Sequence, residues 1–124
     1  MRSMMLVLLL GGCATMSGDS ASERLSRELA GRAEGAAVDC VDTAPSRSLD
    51  IVSSDTLVYR TAGAVWVNRL PSACPGLRPM DQLIIEPALS GRYCRNDRFR
   101  AHQPGSSVPG PYCRFGSFTP YRRP

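Results

Sequence analysis

Four cysteines, Cys40, Cys74, Cys94 and Cys113, lie 34, 20 and 19 residues apart in a chain of 124 and constrain its fold more than any other feature. The leader decides how they are read. Arg2 and the apolar run Met4-Met5-Leu6-Val7-Leu8-Leu9-Leu10 give a charged start and a short greasy core, the pattern of a signal peptide over residues 1–12. That run falls well short of the roughly 20 apolar residues that cross a bilayer as a helix. The chain has five cysteines; with Cys13, at the end of the leader, set aside, the remaining four are an even number and in the oxidising space beyond the membrane are expected to close as two bridges. No CxxC pair is present and His102 is the single histidine, so a tetrahedral metal site finds little support and no cofactor is expected. Four cysteines allow three connectivities. The preferred one joins Cys74 to Cys94 and Cys40 to Cys113.

The end of the leader is itself informative. Leu10-Gly11-Gly12-Cys13 resembles the processing site of bacterial lipoproteins, in which a cysteine thiol takes a diacylglycerol and the chain is cut before it. The resemblance implies a membrane anchor at Cys13; the plainer alternative is an ordinary secretory signal with an incidental cysteine. Ala14 follows, where lipoproteins retained at the inner membrane often carry Asp, so delivery to the periplasmic face of the outer membrane is expected. At about 0.8 kcal/mol for each buried methylene, two or three acyl chains would make such an anchor effectively permanent.

From Ala14 to Val38 the chain is Ser, Gly, Ala and charge, with Leu25 and Leu29 its only large apolar side chains after Met16. Residues 13–38 therefore read as a lipidated cysteine and a tether, flexible or weakly helical around Leu25 and Leu29. After Cys40 the texture becomes short β-type runs broken by Pro and Gly, and residues 39–124 read as one all-β domain of five to six strands. A small antiparallel barrel or sandwich is expected. Thr56–Arg60 and Ala64–Leu70 flank Thr61-Ala62-Gly63 as a hairpin; Gln82–Glu86 and Arg92–Arg95 form a second around Pro87 and Gly91. Gln103–Pro111, with three prolines, is a loop that delivers a last strand over Tyr112–Phe118 and a tail. Alternation nominates Leu57, Tyr59, Trp66, Leu70, Leu83, Ile85, Tyr93, Phe99, Phe115 and Phe118 as the core.

Charge is uneven along this domain. Seven of the fifteen arginines (Arg92, Arg95, Arg98, Arg100, Arg114, Arg122 and Arg123) follow position 91, opposed there by Asp97 alone. They are interleaved with Tyr93, Phe99, Tyr112, Phe115, Phe118 and Tyr121. A solvated strand surface explains this as simply as a site does. As a site, Arg92, Arg95, Arg98, Arg100 and Arg114 would bind anionic groups: lipid headgroups, lipopolysaccharide phosphates or an acidic protein. Strand alternation would put Arg92, Arg98 and Arg100 on one face, with Tyr93 and Phe99 on the other. Nucleic acid is discounted as a partner because an exported protein seldom meets it.

Residues from Cys40 to about Pro120 also carry a pattern: Cys40, Tyr59-Arg60, Trp66-Val67-Asn68-Arg69-Leu70-Pro71, Cys74-Pro75-Gly76-Leu77, Tyr93-Cys94 with Asp97 shortly after, and Cys113-Arg114-Phe115-Gly116 with Phe118. It resembles a family of small secreted or lipid-anchored Gram-negative proteins known only as a domain of unknown function. The resemblance implies a domain boundary and a four-cysteine framework, and no catalytic residues.

Catalytic patterns are thin. His102 stands beside a Pro/Gly/Ser loop without a nucleophile motif such as G-x-S-x-G. Glu86 and Asp97 could form a carboxylate pair on neighbouring strands, although pairing with Arg95 or Arg98 is the plainer expectation. The reading is thus a lipid-anchored periplasmic binding or envelope-accessory protein rather than an enzyme. Its rivals are a small anchored inhibitor of an envelope-attacking hydrolase, and a hydrolase using His102 or Glu86 with Asp97.

Overall fold

The computed structural model describes residue 12 and residues 20–44 and 47–124. Cys13, the expected lipidation site, lies outside the described residues. The first element is helix α1, Ala21–Leu29, whose start is fixed by the Ser20 hydroxyl accepting a hydrogen bond from the Glu23 amide at 3.2 Å. Leu25 and Leu29 form one stripe along it. After the helix come ten short strands among the described residues: β1 (Ala33–Glu34), β2 (Cys40–Asp42), β3 (Leu49–Ser53), β4 (Thr56–Arg60), β5 (Val65–Arg69), β6 (Gln82–Glu86), β7 (Arg92–Cys94), β8 (Arg98–His102), β9 (Cys113–Arg114) and β10 (Phe118–Arg122).

Antiparallel pairing builds a five-stranded sheet in the order β1-β10-β5-β4-β3, a two-stranded ribbon β2-β7, and a three-stranded sheet β6-β8-β9. The chain is thus all-β apart from one helix, with two disulfides, as its texture indicates. The strands exceed the expected five or six because several are two- or three-residue pieces.

Both faces of the five-stranded sheet are covered. On one, Leu25 of α1 packs with Val52, Val58, Val65 and Val67, with Ala21, Leu29 and Tyr121 beside them. On the other, Leu49, Ile51, Leu57, Tyr59 and Phe118 meet Phe99, Ala101 and Phe115 from the smaller sheet and its connections. Phe115 stands at the middle of that core, 4.9 Å from the ring of Phe99, 5.9 Å from Phe118 and 6.1 Å from Tyr93 between centroids. All ten nominated core residues belong to this cluster; Trp66, Leu83, Ile85 and Tyr93 are only partly buried in it.

Four expectations differ from the structure. Residues 20–38 are not a free tether: α1 covers a sheet face, β1 pairs with β10, and Val38 exchanges hydrogen bonds with Phe118 at 2.8 and 2.9 Å. The second hairpin is not formed as read, because β6 pairs with β8 and β7 pairs with β2. The presumed tail is β10, held between β1 and β5. Pro120 is tolerated inside that sheet because its absent N–H would point at β1 where the ladder is interrupted: the Pro120 carbonyl accepts from Gly35, and beyond it the two segments meet only in the isolated bridge between Val38 and Phe118.

The disulfide pairing is the fourth correction. The bridges are Cys40–Cys94 and Cys74–Cys113, interleaved along the chain, rather than Cys74–Cys94 inside Cys40–Cys113. Cys40 and Cys94 are register partners on β2 and β7, facing each other directly across an antiparallel pair. The turn after Cys94 enforces this. Asp97 is buried, and its carboxylate accepts from the amides of Cys94 (2.8 Å) and Ala88 (3.2 Å), while Asn96 takes φ 69°. That turn ends β7 and lets β8 leave in a different sheet.

Candidate functional site

The outer face of the three-stranded sheet gathers the basic side chains. Along β8, Phe99 and Ala101 point into the core, so Arg98, Arg100 and His102 point away from it. Along β6, Leu83 and Ile85 pack inward, leaving Gln82, Ile84 and Glu86 outside. Register then sets the neighbours: Glu86 opposite Arg98, Ile84 opposite Arg100, Gln82 opposite His102, and Arg114 of β9 opposite Arg98.

Tyr112, just before β9, organises this face. The guanidinium carbons of Arg98 and Arg100 each lie 4.5 Å from the centre of its ring. Its hydroxyl donates to one Glu86 oxygen at 3.2 Å, and Arg98 donates to the other at 2.8 Å. Arg100 Nε donates to the Gly110 carbonyl at 3.1 Å, and Arg114 donates to the Asn96 carbonyl at 2.9 Å. Every guanidinium carries several N–H groups, so each arginine is oriented by one bond and keeps other donors for a ligand. Three guanidiniums stand against one carboxylate, which leaves the face cationic. Arg98 and Arg114 are like charges directly opposite each other, an unfavourable pairing that an anion between them would relieve.

Arg92 and Arg95 are not part of this face. They sit at the two-stranded ribbon, with Arg92 Nε 3.3 Å from Asp42 and Arg95 Nε 3.8 Å from Asp39. The expected single face of Arg92, Arg98 and Arg100 fails because Asn96 and the Asp97 turn interrupt the strand between them. Of the five nominated anion-binding arginines, Arg98, Arg100 and Arg114 are brought together.

The residues nominated for catalysis are engaged separately. Asp97 holds two backbone amides, whereas Glu86 binds Arg98 and Tyr112. His102 shares the β8 face, with Nδ1 buried and without a hydrogen-bond partner. Its chain neighbours Ala101 and Gln103 line a cleft of about 310 Å³ with Ser106 and Asp81, and His102 is not on that wall. Ser106 instead exchanges hydrogen bonds with the backbone of Val108.

The central role of Tyr112 was not legible beforehand, since alternation cannot show which exposed ring two arginines will share. Its one sequence signal is position, directly before Cys113, whose bridge to Cys74 fixes the start of β9. In comparison with known proteins, the chain matches no family model, no curated sequence and no solved structure.

Proposed function

We propose that this chain is a lipid-anchored binding or accessory protein of the bacterial envelope, tethered through Cys13 at the periplasmic face of the outer membrane. Its proposed task is to engage anionic groups, of phospholipid, lipopolysaccharide or an acidic protein, through Arg98, Arg100 and Arg114. The observation that carries the reading is the sharing of the Tyr112 ring by Arg98 and Arg100. Stacking on an aromatic holds a guanidinium in place without neutralising it, so the charges are pre-arranged and little side-chain freedom is lost on binding. The reading is non-enzymatic: both Asp97 oxygens are occupied by backbone amides, and Glu86 serves the arginine cluster.

Two measurements test it. Intact-mass analysis of the cell-derived protein should show a chain beginning at an acylated Cys13; a start at Met1 or an unmodified Cys13 thiol rejects the anchor. A Cys13→Ser form, free of lipid, should co-sediment with phosphatidylglycerol vesicles and be released as salt rises. At about 1 kcal/mol per arginine near an anionic surface, Arg98→Ala with Arg100→Ala should weaken association roughly thirtyfold. Parallel sedimentation with lipopolysaccharide separates the two lipid sources, and association indifferent to salt and to both substitutions would sink the proposal.

A further inference from the structure

The chain has a single tryptophan, and it stands on the wall of a second surface cavity that shares no residue with the arginine face. This cavity, about 310 Å³, lies between β5 and the β2–β7 ribbon, lined by Trp66, Thr61, Asp42, Arg92, Val38 and Val41 among others. We propose that it binds one pyranose ring of a glycan.

The wall chemistry selects that class. Trp66 Nε1 already donates to the Thr61 hydroxyl at 3.2 Å and the Arg122 guanidinium carbon lies 5.2 Å from the ring centre, so the polar atom is satisfied, one face of the indole is taken, and the surface left to the cavity is apolar. Thr61 Oγ in turn lies 3.3 Å from the Ala64 carbonyl, which ties the indole to the β4–β5 turn. Beside it, Asp42 and Arg92 are register partners with their side chains 3.3 Å apart. Asp42 only accepts hydrogen bonds and Arg92 only donates them, whereas a hydroxyl does both. A simple anion meets the Asp42 carboxylate and a simple cation meets Arg92. A neutral ring with an apolar C–H face and a rim of hydroxyls complements all three groups.

Size and rigidity agree. Small-molecule pockets run from about 300 to 1,000 Å³, so this one suits a single ring. The ribbon carrying Asp42 and Arg92 is closed by Cys40–Cys94, and Cys40 itself lines the cavity. The backbone that carries the polar pair is therefore fixed in advance of the ligand.

Because Trp66 is the only indole and stands on this wall, its fluorescence reports on the cavity, and the Asp42 and Arg92 variants separate a response there from one at its Arg122 or core contacts. The oxidised full-length chain is titrated with the N-acetylglucosamine trisaccharide, with maltotriose and with inorganic phosphate. A saturable emission change with either trisaccharide is expected, and none with phosphate. Asp42 is exposed, so Asp42→Ala leaves the core intact, and it should weaken the response roughly tenfold. Arg92→Gln serves as the second variant, with the same weakening expected. The proposal is overturned by no saturable change with either sugar, by unaltered affinity in both variants, or by a phosphate response equal to that of the sugars.

Discussion

Asn68 shows how much a single side chain can decide in so small a core. It is fully buried, donates to the Gly116 carbonyl and accepts from the Gly116 amide, both at 2.8 Å, so an amide side chain substitutes for a strand partner. Gly116 answers this with its own requirement, because a Cβ there would collide with the Arg69 carbonyl. Asn68→Ala would leave two buried backbone groups without partners, and a loss of about 2–4 kcal/mol in denaturant unfolding is expected. A loss below about 1 kcal/mol would mean that the Gly116 backbone finds other partners. The sequence run Trp66-Val67-Asn68-Arg69 marks Asn68 only as a polar residue in a strand; its partner lies 48 residues away, beyond the reach of local pattern.

The elements divide by whether their partners are close in the chain. The β4–β5 hairpin is legible because its two runs and Thr61-Ala62-Gly63 are contiguous, and its register follows from Leu57 and Tyr59 facing the core. The β2–β7 pair is not, since β2 borders a stretch whose composition reads as linker. Arg98 and Arg100 were legible as one face by period alone; the break at Asn96 that removes Arg92 is a conformational event that period cannot show. Helix α1 was foreseen only as a marginal one, and docking is what makes it stable. Beyond Leu25, it is fastened to β4 by Arg60, which donates to both Glu28 oxygens at 2.7 Å. That hydrogen bonding, outweighing partial desolvation, holds the Glu28 carboxyl below its usual 4.5, the value expected in the unfolded chain. A depressed carboxyl stabilises the fold above pH 4.5, and its contribution disappears as pH falls through that value and below. Both side chains are partly exposed, 43% for Arg60 and 28% for Glu28, so screening limits the effect to about 0.5 kcal/mol. Glu28→Gln should therefore unfold more readily than the wild type at pH 7, with the gap narrowing as pH is lowered below 4.5, measured by thermal unfolding.

At the scale of the molecule, covalent links carry a burden that the core shares. The bridges close loops of 54 and 39 residues, and in the chain-entropy account each contributes about 4 kcal/mol. That is comparable to the whole stability of an ordinary domain of this size. The order in which the bridges alternate has a further effect under protease attack. One cut between residues 41 and 73 together with one between 95 and 112 yields three peptides, and the middle one holds both Cys74 and Cys94. Since Cys94 grips the first peptide and Cys74 the last, all three migrate as one species on a non-reducing gel and separate only after thiol is added. With nested bridges the middle peptide would be shed at once, so an enzyme that nicks both connecting regions leaves the molecule laced together.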